Sequence, residues 1–231
     1  MSEDDLLIPR DDYLAAGIHI GTQIKSSDMN PFIYRITRSG LYVIDIRKTD
    51  NRLRVAAKFI SRFDSDKIVV ISSRRYGHKP VSKFSSILNG PKPLVGRFIP
   101  GILTNPSAGK YVQAELVIIT DPRADRHALA EAKISRIPVI SLCDTDNNTR
   151  DVDLIVPANN RGRKALALIF WILTRHVLLE KGLIRDTEEF KYQLEDFYTQ
   201  GRILFQPNRM LNEHERRNAN RRRGRGKRKY S

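Results

Sequence analysis

The chain has 231 residues, 40% of them hydrophobic and 29% charged, enough apolar material for one large domain or two small ones. Its 41 Lys and Arg outweigh 26 Asp and Glu to leave +15, a surplus that asks for an anionic partner: nucleic acid, an anionic membrane surface or an acidic protein. Cys143 is the only cysteine, which excludes an intramolecular disulfide and a cysteine-rich zinc site, and the longest apolar run, 165–173, is well short of the roughly 20 residues of a membrane helix.

The opening Met1-Ser-Glu-Asp-Asp-Leu-Leu-Ile8 is acidic and unlike a secretory signal, so a soluble protein is expected. Residues 11–17 read as a short helix, with acids in the first turn and Gly17 as its stop. Residues 33–38 and 41–46, joined by Ser39-Gly40, read as a hairpin. Leu53, Ala56, Ala57, Ile60 and Phe63 recur at spacings of three and four, which predicts a helix over 47–63.

The apolar run 67–72 has strand length and the look of a strand covered on both faces. A helix is expected over 81–88, a strand over 94–99, and a loop over the Pro- and Gly-containing stretch 100–109. Strands at 115–120, 137–142 and 154–156 alternate with a helix at 126–135, and helices at 162–181 and 187–198 follow. That alternation argues an α/β fold with a mostly parallel sheet between helices.

The composition shifts after about Leu211. Residues 216–231 hold nine cations, Arg216, Arg217, Arg221, Arg222, Arg223, Arg225, Lys227, Arg228 and Lys229, and no anion. Such a stretch buries too little apolar surface to offset the entropy of ordering, so a disordered basic C-terminal tail is expected over 212–231, beside a domain over 1–211. Without those nine charges the rest of the chain carries +6. An arginine-rich arm on a moderately basic body points to phosphate; a solubilising or localising role is the blander alternative.

Enzyme motifs are hard to find. Gly101 to Lys110 ends in Gly-Lys, but the glycine spacing is wrong for a phosphate-binding loop and Tyr111 stands where Ser or Thr should bind magnesium. Asp144, Asp146, Asp151 and Asp153 follow a strand, at the edge where α/β folds bind ligands. With Asn147, Asn148 and Thr149 among them, they read first as turn residues bonding to nearby backbone, and no metal site is assigned. His19, His78, His127, His176 and His214 form no ligand pair, and Ser72-Ser73 lacks the glycines of a nucleophile elbow.

Cations outside the tail gather near loops. Arg35, Arg38, Arg47 and Lys48 flank the hairpin; Arg74, Arg75, His78, Lys79 and Lys83 follow a strand. Lys92, Arg97 and Lys110 flank the Pro/Gly loop, and Arg161, Arg163 and Lys164 open the long helix, where a helix N-terminus favours phosphate. Each alone reads as a solvated surface charge. As a set they favour RNA, with the 74–83 and 161–164 clusters preferred.

Several stretches then become recognisable: Gly17-Ile-His-Ile-Gly21-Thr-Gln23, Arg97-Phe-Ile-Pro-Gly101 with Leu103-Thr-Asn-Pro106, Asp121-Pro-Arg-Ala-Asp125, Glu131-Ala132, Ile137-Pro-Val-Ile-Ser-Leu-Cys-Asp-Thr-Asp146 and Val152-Asp-Leu-Ile-Val-Pro-Ala-Asn-Asn160. In that order, over about residues 11–200, the chain resembles the universal small-subunit ribosomal protein S-two family in its archaeal form. The resemblance implies a flavodoxin-like three-layer sandwich. It implies assembly between head and body of the small subunit, on small-subunit rRNA and neighbouring small-subunit ribosomal proteins, in the cytoplasm. It implies no catalysis, no cofactor and no small-molecule substrate. Gly17, His19, Gly21, Thr104, Asn105, Pro106, Asp121, Pro122, Asp144, Asp146 and Asn160 match family motifs and read as fold- and loop-shaping residues. The arginine-rich end departs from that pattern.

Two hypotheses are carried forward. One is an rRNA-binding scaffold whose loop cations and tail neutralise phosphate. The other is a nucleotide-using α/β enzyme, supported by fold class alone. A tail-held peripheral membrane protein has no lipidation motif or apolar anchor behind it.

Overall fold

The apolar runs become the middle of a sheet. The structure, a computed structural model, describes residues 6–107 and 109–199. Five strands, β3 (Ile68–Ser72), β4 (Lys92–Val95), β5 (Leu116–Ile119), β6 (Val139–Cys143) and β7 (Leu154–Pro157), pair in the order β4-β3-β5-β6-β7, every pair parallel. Counted among themselves in chain order this is 2-1-3-4-5, the flavodoxin-like winding, with its topological switch between β3 and β5. Every residue of β3, β5 and β6 is buried, as continuous Val/Ile/Leu runs require when both faces are covered.

The two faces are covered unequally. Ile68, Val70, Leu116, Ile118, Ile140 and Leu142 share one core with helices α2 (Ile46–Ile60), α3 (His78–Leu88) and α5 (Arg163–Glu180). Val69, Ile71, Val117, Ile119 and Val139 face α4 (Arg126–Ile134), with Ile102, Leu103 and Val112 of the 97–113 loop completing the layer. Helix α5 is apolar nearly all round because it is packed between α2 and α3 against the sheet. Fully burying each of its large aliphatic side chains contributes roughly 1.5–3 kcal/mol.

A smaller unit sits on this frame. Helix α1 (Arg10–Ala16) stops at Gly17, whose φ of +70° lets its N–H reach back to the Leu14 carbonyl. The hairpin β1 (Ile33–Ile36) and β2 (Tyr42–Ile44) is antiparallel, turned by residues 37–41 with Gly40 at φ +78°. Asp45 then caps α2 by accepting from the Arg47 N–H at 3.0 Å. Buried Asp50 of α2 gathers the Leu7 N–H (2.8 Å), the Tyr13 hydroxyl (2.7 Å) and Arg54 (2.9 Å), tying the start of the described chain and α1 to the core.

Two predicted elements differ. The strand expected over 94–99 lies at 92–95, because Gly96 turns out of the extended region (φ +87°) and donates to the Ser72 carbonyl. The amphipathic helix expected over 187–198 is two single 3₁₀ turns, Thr187–Glu189 and Leu194–Phe197. Tertiary contacts win there: the Trp171 indole N–H takes the Tyr192 carbonyl at 2.9 Å, and Phe190 packs edge-on against Trp171. The stretch runs as a strap over α5 and α3. The expected tail, 212–231, and the boundary at 211 lie outside the described residues.

Candidate nucleic-acid interface

In a doubly wound sheet, ligands bind at the carboxyl ends of the strands beside the switch point. Here that crevice is filled by the chain itself. At the ends of β3 and β5, the Thr120 hydroxyl donates to Ser72 Oγ at 2.9 Å, and Asp125 accepts from the Ser73 N–H at 2.9 Å and from the Ser73 hydroxyl. Gly77 closes the space from above: a Cβ there would lie 2.2 Å from Ser72 Oγ. Arg74 reaches back over the edge to pair with fully buried Asp121.

The lattice continues beyond β6. Asp121 Oδ1 accepts from the Arg123 N–H at 2.9 Å and from Asn147 Nδ2 at 3.2 Å. Asn147 Oδ1 accepts from the Asp144 N–H (2.7 Å) and from Asn160 Nδ2 (2.9 Å). Arg161 pairs with Asp146 and lies 3.8 Å from Asp144, and Arg123 reaches Asp146 at 3.2 Å. Burial pushes Asp144 up to about 6, against the Thr145 N–H and the Arg161 charge, and it raises Asp125 as well. Burial also pushes the Cys143 thiol up to about 12, which leaves it unreactive.

The hairpin unit is joined to the same lattice. Thr145 Oγ1 accepts from the Thr22 N–H at 2.9 Å, and the Thr145 carbonyl accepts from the Ser26 N–H at 2.8 Å. The backbone approach is so close that a Cβ on Gly21 would lie 2.4 Å from Thr145 Cγ2. The turn reading of 144–151 therefore holds for its backbone bonds, with a second role added: Asp144 and Asp146 are partners of a distant arginine.

The predicted cations divide into two groups. Arg74, Arg161 and Lys83 work internally; Lys83 lies over the Tyr192 ring at 4.7 Å and 3.9 Å from Asp196, pinning the strap. Arg35, Arg38, Arg75, Arg97, Lys110, Arg163 and Lys164 are exposed, and Lys79 is half-buried. Arg75 and Lys79 lie beside the start of α3, and Arg163 and Lys164 open α5, so these four share the C-terminal edge of the sheet. Arg97 and Lys110 ride on the 97–113 loop, and Arg35 and Arg38 stand on the hairpin. The nine tail cations, from Arg216 to Lys229, lie outside the described residues.

Sequence reasoning missed what holds the 97–113 loop. Glu131, on the sheet-facing side of α4, accepts from the Gly101 N–H at 2.6 Å, the Leu103 N–H at 3.1 Å and the Thr104 hydroxyl at 3.4 Å. The available signal was an acid between Ala128 and Ala132 on an otherwise apolar face. Among the described residues no group of three His, Cys, Asp or Glu could hold a metal ion, and no helix is long and apolar enough to cross a membrane.

Known proteins share this chain's pattern. The model of the family described as ribosomal protein S2 matches residues 13–114 and 109–179. The chain is 54% identical over 202 residues to the small ribosomal subunit protein uS2 of Thermofilum pendens, covering 87% of this chain and 93% of that one. It is 55% identical over 180 residues to the protein of the same name from Staphylothermus marinus, covering 78% and 81%. With that of Picrophilus torridus it shares 48% over 200 residues, covering 87% of this chain and all of the relative.

Proposed function

Given that the chain belongs to the ribosomal protein S2 family, we propose that its exposed cations place it on rRNA and that its internally paired ones shape the loops presenting them. It is a structural constituent of the small ribosomal subunit, works there in translation with rRNA and neighbouring ribosomal proteins, and is not an enzyme. The observation behind the division of labour is the filled switch point: hydroxyls, carboxylates and guanidinium groups occupy the crevice that a cofactor would need, and the remaining charge faces outward.

In this reading Arg75, Lys79, Arg163 and Lys164 form the main phosphate-contacting edge. Arg97 and Lys110 add a second patch through the loop that Glu131 holds, and Arg35 and Arg38 a third. Arg74, Lys83 and Arg161 act as positioning residues. The segment 216–231 supplies nine further cations as an arm on a domain ending near residue 211.

The test is binding to small-subunit rRNA over a range of salt. Each phosphate contact contributes about −0.9 to the logarithmic salt slope on duplex. Deleting 216–231 should make the slope shallower by several units, and Arg163→Ala with Lys164→Ala by roughly one to two. An unchanged slope in either variant rejects that group as a contact surface.

A further inference from the structure

The carboxyl edge of the sheet offers more than charge. Between β3 and α3, the 3₁₀ turn Arg75–Gly77 carries Tyr76, which is 47% exposed and whose side chain has no hydrogen bond or ring contact among the described residues. Its backbone, by contrast, is fixed from both sides. Gly77 donates to the Arg74 carbonyl at 2.9 Å and lies too close to Ser72 Oγ for any side chain. The Thr199 hydroxyl donates to the Tyr76 carbonyl at 3.0 Å, so the end of the strap holds the turn as well. An aromatic face thus stands in water on an anchored backbone.

What surrounds the ring narrows its partner. The turn packs against α5, and Arg163 is close enough to Tyr198, the neighbour of Thr199, for their charges to interact. The start of α5 therefore comes close to Tyr76, while Lys79 follows three residues along the chain. Lys79, Arg163 and Lys164 carry no ion pair among the described residues, and neither α3 nor α5 has an acid in its first turn. Of the strap's nearby acids, Glu195 and Asp196, the second lies 3.9 Å from Lys83. A flat apolar face among cations matches a ligand that joins a flat apolar group to an anion in a single unit, which is a nucleotide. Bases inside a duplex are already stacked on both faces, so a duplex would meet the cations and leave the ring in water. A protein segment would have to set carboxylates around a separate apolar side chain.

We propose that Tyr76 stacks on an unpaired rRNA base whose flanking phosphates meet Lys79 and Arg163. The proposal rests on the rRNA-binding reading above and deepens it: this edge takes single-stranded RNA and reads a base face as well as backbone charge.

The test uses the full chain. Binding to small-subunit rRNA is measured over a range of salt for the unmodified chain, Tyr76→Ala and Tyr76→Phe. Tyr76→Ala should weaken binding by about tenfold, the loss of one stacked base, with the salt slope unchanged because no cation is removed. Tyr76→Phe keeps the ring and should bind as the unmodified chain does. Full affinity in Tyr76→Ala, or an equal loss in Tyr76→Phe, overturns the proposal. A second measurement irradiates small subunits containing the unmodified chain with ultraviolet light and maps adducts by mass spectrometry. The expected product is a nucleotide on Tyr76 from an unpaired position of the rRNA. A nucleotide from a duplex overturns the proposal, and so does an unmodified Tyr76, the result if a neighbouring protein or residues 200–231 of this chain cover the ring. If the unmodified chain binds no small-subunit rRNA at any salt, the rRNA-binding reading itself fails and this proposal falls with it.

Discussion

The carboxyl edge of the sheet and the hairpin invert each other. At the edge, polar and charged groups are buried and bonded to one another, with Asp146 Oδ1 and Asn160 Oδ1 left without a hydrogen-bond partner among the described residues; at the hairpin, apolar groups are exposed around an open cleft. The buried groups of the first arrangement bond inward and set the shape of the loops that carry the exposed cations. The second leaves Leu14, Ile20 and Tyr34 facing water. In this sheet the end where such a winding usually binds ligands is bridged by the chain's own hydroxyls, carboxylates and guanidinium groups.

The sharpest way to break that contrast is to empty the edge. Asp121→Ala leaves Arg74, the Arg123 N–H and Asn147 Nδ2 without their acceptor. Urea unfolding should show a loss of about 3 kcal/mol, toward the low end for a broken buried pair because Arg74 keeps partial access to water. A loss below about 1 kcal/mol would mean that the lattice is decorative.

Next comes the loop on the thinner face. Glu131→Ala removes the acceptor of two backbone N–H groups and should cost about 2 kcal/mol, with faster hydrogen exchange at Gly101 and Leu103. Glu131→Gln, keeping a side-chain acceptor, should recover part of the loss. Equal exchange rates in all three proteins would refute the anchoring role.

Acidity sharpens the contrast more gently. Folded Asp144 keeps its proton up to about pH 6, whereas an unfolded Asp releases it near 3.9. The folded state binds the proton more tightly, so this residue's contribution to stability rises as pH falls from about 7 to about 4. The gain between pH 7 and 5 should be on the order of 1 kcal/mol, visible as a steeper pH dependence of unfolding in the unmodified chain than in Asp144→Asn. Parallel curves for the two would dismiss it. At the hairpin, by contrast, Tyr34→Ala should change stability by less than about 0.5 kcal/mol, since that ring is mostly in water.

Much of the frame was legible in the sequence. The runs at 67–72, 115–120 and 137–142 announced doubly covered strands, and Gly17 and Ser39-Gly40 marked their turns correctly, because these signals are local. The strap was misread since Thr187 to Tyr198 carries a helical pattern of apolar residues that Trp171 and Lys83 recruit one by one in other geometries. For the site, the residue types were legible and their pairing was not. Arg74 and Arg161 looked like surface cations; only the fold brings a carboxylate 47 and 15 residues away beneath each guanidinium. Glu131 hid for the same reason, its partners lying about 30 residues upstream.

The bond from Thr22 to Thr145 joins residues 123 positions apart. During synthesis at roughly 5–20 residues per second, the early hairpin therefore waits on the order of 10 s for its seat to leave the polypeptide tunnel. Through that interval Gly21 and Thr22 have only local partners, the Tyr42 backbone and the Ile24 carbonyl, and their seat on Thr145 is among the last contacts of this region to become available.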